Sequence, residues 1–239
     1  MCTVSYVNTA AGVVITSNRD EHVLRSAEFP QTHILNGQSI TFPKDPLAGG
    51  TWFAINAQSN RVVVLLNGAE SKHQRASSYR KSRGLVLLDL ISADEDVCAN
   101  WQLYELHQIE PFTLVVYERN ALFQLRWDGN QKSTVTLETT QSYIWSSATL
   151  YSPVVRAQRQ SWFTEFLGQY AALTPADMMR FHASSPTTDK QLNLLMERTP
   201  ELKTISITQA KVGPENSVLQ HSDLLLQQTE TYTFDAVQS

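Results

Sequence analysis

The sequence predicts an α+β fold. Three pairs of β-branched and aromatic runs, each joined by a short polar turn, read as antiparallel hairpins. Two longer stretches, 78–91 and 152–168, carry apolar residues at helical spacing. Strand-rich halves with helices between them are the pattern of that class.

The first hairpin opens the chain. Residues 2–7 (CTVSYV) alternate, with Cys2, Val4 and Tyr6 facing one way and Thr3 and Ser5 the other. Residues 8–12 form a turn, and Val13, Val14, Ile15, Thr16 and Ser17 return. With the turn centred near residue 10, paired residues sum to about 20. Cys2 then stands opposite Asn18, give or take about two positions. The cluster Asn18, Arg19, Asp20 and Glu21 is thereby brought beside Cys2. A solvated turn is the plain reading of such a charge run. The chemical reading gives Arg19 a forked hydrogen bond to a thiolate or a carboxylate, and lets Asp20 accept from an α-amino group.

A methionine followed by a small residue is the type of start from which the initiator is removed, so Cys2 is expected to become the first residue. Its thiol, near ~8.5, then sits beside its own α-amino group, near ~7.7–8.0. The amine is a tethered base for the nucleophile. The competing reading is a buried strand cysteine, a common fate of free cysteine.

Residues 25–50, with Pro30, Pro43 and Pro46, read as loop. Residues 51–56 and the nearly continuous apolar run 61–66 make the second hairpin, whose return strand is expected at the centre of a sheet. It ends at Asn67-Gly68, either a simple turn or a place where the Asn67 amide donates to a developing oxyanion. The helix over 78–91 contains Gly84 as a weak point. Cys98 follows acidic residues 94–96 and reads as packing. Residues 112–117 and 121–127 form the third hairpin, and 134–138 and 143–146 are further strands. Ser152-Pro153 starts the second helix with a capping serine and a proline in its first turn. Val155, Trp162, Phe163, Phe166 and Leu167 give it a core-facing stripe. Thr174-Pro175 starts another helix. Residues 203–208 alternate as a strand, and short strands near 218–219 and 232–234 close the chain, read as one domain over 1–239.

Composition narrows the function. The net charge of −4 over 239 residues lacks the basic stripe of a nucleic-acid binder. No apolar run reaches the length of a bilayer span, and the N-terminus lacks a secretory signal, so a cytoplasmic protein is expected. Two cysteines and six scattered histidines give neither a disulfide framework nor a metal motif. No metal or cofactor is expected. The partner expected is a small-molecule substrate, with oligomeric state open.

Several pieces in order resemble the NRDE family, also called the transport and Golgi organisation 2 family. They are MCTVSY at the start, SNRDE at 17–21, GGTWFAIN at 49–56, VVVLLNG at 62–68, YRKSRGLVLLD at 79–89 and WSSATLYSP at 145–153. The resemblance implies a branch of the N-terminal nucleophile hydrolases, with a four-layer αββα sandwich, akin to bile-salt and penicillin V hydrolases. By position Cys2 matches the nucleophile, Arg19 and Asp20 the Arg/Asp pair, and Asn67 an oxyanion-hole asparagine. Ser147 stands where those enzymes carry a second asparagine, and Arg198 matches a late arginine. Asn18, Ser147 and Arg198 are expected on the substrate side. The implied activity is a cysteine amidohydrolase or acyltransferase on a small non-peptide amide or thioester. The alternative is a non-catalytic lipid- or haem-handling protein.

Overall fold

The computed structural model describes residues 3–235; Met1, Cys2 and residues 236–239 lie outside the described residues. It is α+β, 17% helix and 41% strand, and separates into two compact units. One is built from residues 3–26, 140–146 and 150–235, the other from 27–139 and 147–149.

In the first unit, β1 (Thr3–Thr9) and β2 (Gly12–His22) form the expected hairpin. Its pairs sum to 21, Thr3 lying opposite Asn18 and Val4 opposite Ser17. They belong to a six-stranded antiparallel sheet ordered β10-β1-β2-β11-β12-β13. Its other strands are β10 (Tyr143–Ser146), β11 (Leu202–Val212), β12 (Asn216–Asp223) and β13 (Gln228–Asp235). The strands that read as short near the C-terminus extend to eight residues each, because uncharged polar residues alternate along them and leave few apolar positions to mark a strand. Helices α3 (Pro153–Leu167) and α4 (Pro175–His182) pack on one face. Both begin as the sequence indicates. The Ser152 side chain accepts from Val155 N, and Thr174 and Asp177 close a reciprocal capping box. Val7 and Val14 from the sheet meet Phe163, Met178, Phe181 and Leu194 in a buried cluster.

The reading of 203–208 as simple alternation fails at one point. The register of β11 on β2 shifts between Thr204 and Ser206. Thr204 pairs with Asp20 and Ser206 with Arg19. Residues two apart therefore stand on opposite faces, the signature of an extra residue bulged at Ile205.

The second unit is a seven-stranded antiparallel sheet ordered β3-β4-β5-β6-β7-β8-β9. Its strands are β3 (Glu28–Leu35), β4 (Gln38–Lys44), β5 (Phe53–Asn56), β6 (Arg61–Asn67), β7 (Phe112–Glu118), β8 (Ala121–Trp127) and β9 (Lys132–Leu137). β6 is central and buried through Leu66, as its apolar run indicates. The stretch 25–50 is a hairpin and not a loop. Asn36 and Gly37 both adopt positive φ, 49° and 78°, the two-residue turn that Asn-Gly favours. Pro30 lies at a register irregularity between Glu28 and Gln31, and β3 is an edge strand, where proline is tolerated.

Helix α1 (Arg83–Ile91) begins five residues later than the sequence pattern indicates, capped by Ser82, whose side chain accepts from Leu85 N. Upstream, Arg80 N donates to Gln108 O, so residues before the cap are held in a different structure. Helix α2 (Val97–Leu103) is an addition to the expected elements. Buried Arg61 joins the two helices. It donates to the carbonyls of Ile91, Ala93 and Glu95 and pairs with Glu118, which accepts from Val97 N at the start of α2.

Gly84 is a contact and not a weakness. A Cβ there would lie 2.6 Å from Thr51 O and 2.9 Å from Thr51 N. Both atoms are backbone, so neither yields by rotating. Gly84→Ala is expected to destabilise by about 2 kcal/mol despite alanine's better helix propensity. A midpoint of urea unfolding at or above that of the wild type would contradict the close approach.

Candidate functional site

Cys2 lies outside the described residues. The residues around the start of β1 are described, and they sort onto two faces of the six-stranded sheet, since directly paired residues share a face.

On the helix-bearing face stand Thr3, Ser5, Asn18 and Asp20, all buried. Each is tied to a helix or loop by side-chain hydrogen bonds. Asn18 Nδ2 donates to the carbonyls of His182 (3.0 Å) and Leu194 (2.7 Å), so its Oδ1 is left to accept. His182 Nδ1, 2.5 Å from that oxygen, therefore carries the ring proton. Its Nε2 then accepts from the Ser5 hydroxyl at 2.7 Å. Burial, with Arg159 adding to it, pushes the His182 imidazole down to about 3, so it is neutral. This is a serine–histidine–asparagine chain with no solvent exposure at any member.

Arg159 of α3 is also fully buried. It donates to Thr3 Oγ1 at 2.6 Å and to the carbonyls of Leu192 and Asn193, and its guanidinium lies 3.6 Å from the centre of the Tyr151 ring. The Tyr151 hydroxyl donates to Asp20 Oδ2 at 2.5 Å. Thr204, the cross-strand partner of Asp20, donates to Oδ1 at 2.5 Å. Asp20 thus has a neutral donor at each oxygen.

Arg19 stands on the other face, with Val4 and Ser17. Two cross-strand rows run there. One holds Val4, Ser17, Thr208 and His221; the next holds Arg19, Ser206 and Asp223. From Ser17 to Asp223 these polar residues are at most 4% exposed. Arg19 Nη1 donates to Arg25 O at 2.7 Å. Thr208 Oγ1 and His221 Nδ1 lie 2.8 Å apart. Burial, with Arg19 adding to it, pushes His221 down to about 4 against the opposing pull of Asp223. The hydroxyls of Ser17 and Ser206 are buried without a hydrogen-bond partner among the described residues. Unpaired buried hydroxyls are costly, and these two flank Arg19.

The second unit brings Asn67 and Ser147 together. Ser147 Oγ donates to the Asn67 carbonyl at 2.7 Å and lies 2.8 Å from Thr149 Oγ1. Gly68, at φ 82°, presents its Cα side to Thr149, and Thr113 Oγ1 donates to Gly68 O. The backbone at Asn67-Gly68 is therefore fixed on both sides. The Asn67 side chain has no hydrogen-bond partner among the described residues. Arg198, in the first unit, donates to Leu150 O at 3.0 Å. Cys98 is half-buried, and burial, Glu118 and Asp96 raise its thiol to about 11.

Sequence reasoning missed Arg159, Tyr151, His182, Thr204 and His221. Arg159 sat at a polar position of an otherwise apolar stripe. The two histidines had no motif around them. WSSATLYSP held Tyr151 in a matched piece without marking it. No group of three or more metal-ligating side chains occurs among the described residues, and no described helix is long and apolar enough to cross a membrane. A family model, Transport and Golgi organisation 2, matches residues 1–232. Comparison with curated proteins gives no match.

Proposed function

The chain belongs to the Transport and Golgi organisation 2 family, and on that premise we propose that it is an N-terminal nucleophile cysteine amidohydrolase or acyltransferase. Its substrate is a small non-peptide amide or thioester. The observation that carries this reading is the register of β1 on β2. Arg19 comes one residue beyond the Thr3–Asn18 pair, on the Val4 face, and position 2 has the parity of Val4. Two unpaired hydroxyls flank that arginine.

In this mechanism the Cys2 thiol gives its proton to its own α-amino group, and the thiolate attacks the acyl carbon. The carbon–nitrogen or carbon–sulfur bond breaks, and the leaving group takes the proton from the ammonium. Water or an amine then resolves the thioester. Asn67 donates its unspent amide to the oxyanion. Arg19 favours the thiolate, and Asp20 orients the α-amino group. Asn18, Ser147 and Arg198 act in support, because their polar atoms hold protein carbonyls. A four-layer αββα sandwich, a single domain over 1–239 and a cytoplasmic location belong to the same proposal. The chemistry needs no cofactor.

Intact mass and thiol alkylation test it. The purified protein should lack the initiator methionine. Limiting iodoacetamide at pH 7 should label Cys2 at least about tenfold faster than Cys98, whose thiol is held protonated. Arg19→Ala should slow Cys2 labelling, and Cys2→Ala should abolish acyl transfer while Cys98→Ala leaves it. An intact Met1, or labelling of Cys98 first, would turn the reading to the non-catalytic lipid- or haem-handling alternative.

A further inference from the structure

A cleft of about 430 Å³ lies in the second unit between the β3–β4 hairpin and α1. Its apolar lining comes from Ile34 and Leu35 of β3, Phe42 of β4, and Leu85 and Leu88 of α1. One wall is aromatic and flat. The His33 and Phe42 rings stack at 4.6 Å between centroids, 28° from coplanar. Ile34 is 70% exposed at this rim, a cost in water that a ligand would relieve.

Two charged side chains line the cleft, and they differ in what they do. Asp89 is committed, accepting from both Lys81 Nζ and the Tyr104 hydroxyl. Lys44 is half-buried and has neither a hydrogen bond nor an ion pair among the described residues. Its cross-strand neighbour Glu28 is exposed and makes no ion pair with it. An ammonium that no protein group engages is available to a ligand's anion through a charge-assisted hydrogen bond. The volume falls within the usual range of small-molecule sites, and apolar and polar side chains line the cleft in about equal number.

We propose that this cleft binds a small planar aromatic carboxylate, its ring against the His33–Phe42 wall and its carboxylate on Lys44 Nζ. The stacked pair selects a flat ring over a flexible chain, since offset stacking adds to apolar burial. Lys44 selects the anion. The site is independent of Cys2 and of the proposed hydrolysis.

2-Naphthoate serves as the probe, titrated by calorimetry or by its own fluorescence. The expected result is one site per chain, with affinity at least about tenfold weaker in both Lys44→Met and Lys44→Gln. Unfolding midpoints of the two variants check that each is folded. The neutral 2-naphthamide should bind at least about tenfold more weakly than 2-naphthoate to the wild type. His33→Ala should weaken 2-naphthoate and leave octanoate unchanged. No saturable binding at millimolar probe, or equal affinity in the folded Lys44 variants, would overturn the site. Octanoate binding more tightly than 2-naphthoate would overturn the choice of a planar ring.

Discussion

Acidification from pH 6.5 to 4.5 is expected to destabilise the protein by on the order of 4–5 kcal/mol. Two buried histidines produce this. The folded protein holds His182 at about 3 and His221 at about 4, whereas an unfolded histidine titrates near ~6.5. Between these values the unfolded chain binds protons that the folded chain refuses. Stability is therefore full above the unfolded value and falls as pH drops, by about 1.4 kcal/mol per pH unit for each histidine. The carboxylates held below their usual range, Asp128, Asp177, Glu197 and Glu201, act the same way, but only below the unfolded carboxylate range. Glu118 acts oppositely. Burial raises its carboxyl, so its protonation returns part of the loss as pH falls. The drop is comparable to the whole stability of many domains. Urea unfolding at half-unit pH steps reads the slope. His182→Gln should lower stability at pH 7.5 yet remove about half of the slope. A midpoint flat between pH 6.5 and 4.5 would mean that these imidazoles are charged or accessible.

Arg159→Met is expected to cost about 3–5 kcal/mol at neutral pH, because it leaves several buried acceptors without a donor. The guanidinium serves Thr3 Oγ1 and the carbonyls of Leu192 and Asn193 together. Methionine fills much of the volume but leaves all three unsatisfied. Lysine keeps the charge yet lacks the planar fork that reaches three acceptors and lies over Tyr151. Arg159→Lys should therefore recover only part of the loss. Where the variants still fold, Cys2 alkylation should slow, because Thr3 and Tyr151 lose the group that holds both. Unfolding within about 1 kcal/mol of the wild type for Arg159→Met would show that the site relaxes around the loss.

The parts of the fold legible in the sequence were those set by local rules. Alternation over 2–7 and 13–17 gave the first hairpin to within one residue of register. Serine and threonine caps gave the starts of α3 and α4. The β3–β4 hairpin is signalled by Asn36-Gly37, but three nearby prolines point to a loop and mask that signal. The apolar spacing of α1 continues past Ser82 toward the N-terminus, and only the cap marks where the helix starts. The residues that fix the site were illegible for a different reason. Arg159 reaches Thr3 across 156 residues, and Asn18 reaches His182 across 164. No spacing rule operates at that separation. Arg19 and Asp20 were legible as a pair, yet the strand turns them to opposite sides, where they meet different partners.

The bulge in β11 has a consequence for chain length. Thr204 already pairs with Asp20 and Ser206 already pairs with Arg19, so Ile205 is surplus to the ladder. A chain lacking that one position keeps the cross-strand pairs and the side-chain facing of β11 along β2. It gives up the extra local twist that the bulge adds, the buried Ile205 side chain and the hydrogen bond that Leu224 N donates to Ile205 O. Most one-residue deletions in a buried strand invert everything beyond them. Here the strand carries one residue of slack against β2, so where it passes the Arg19–Asp20 pair its register survives shortening, and the cost falls on core packing instead.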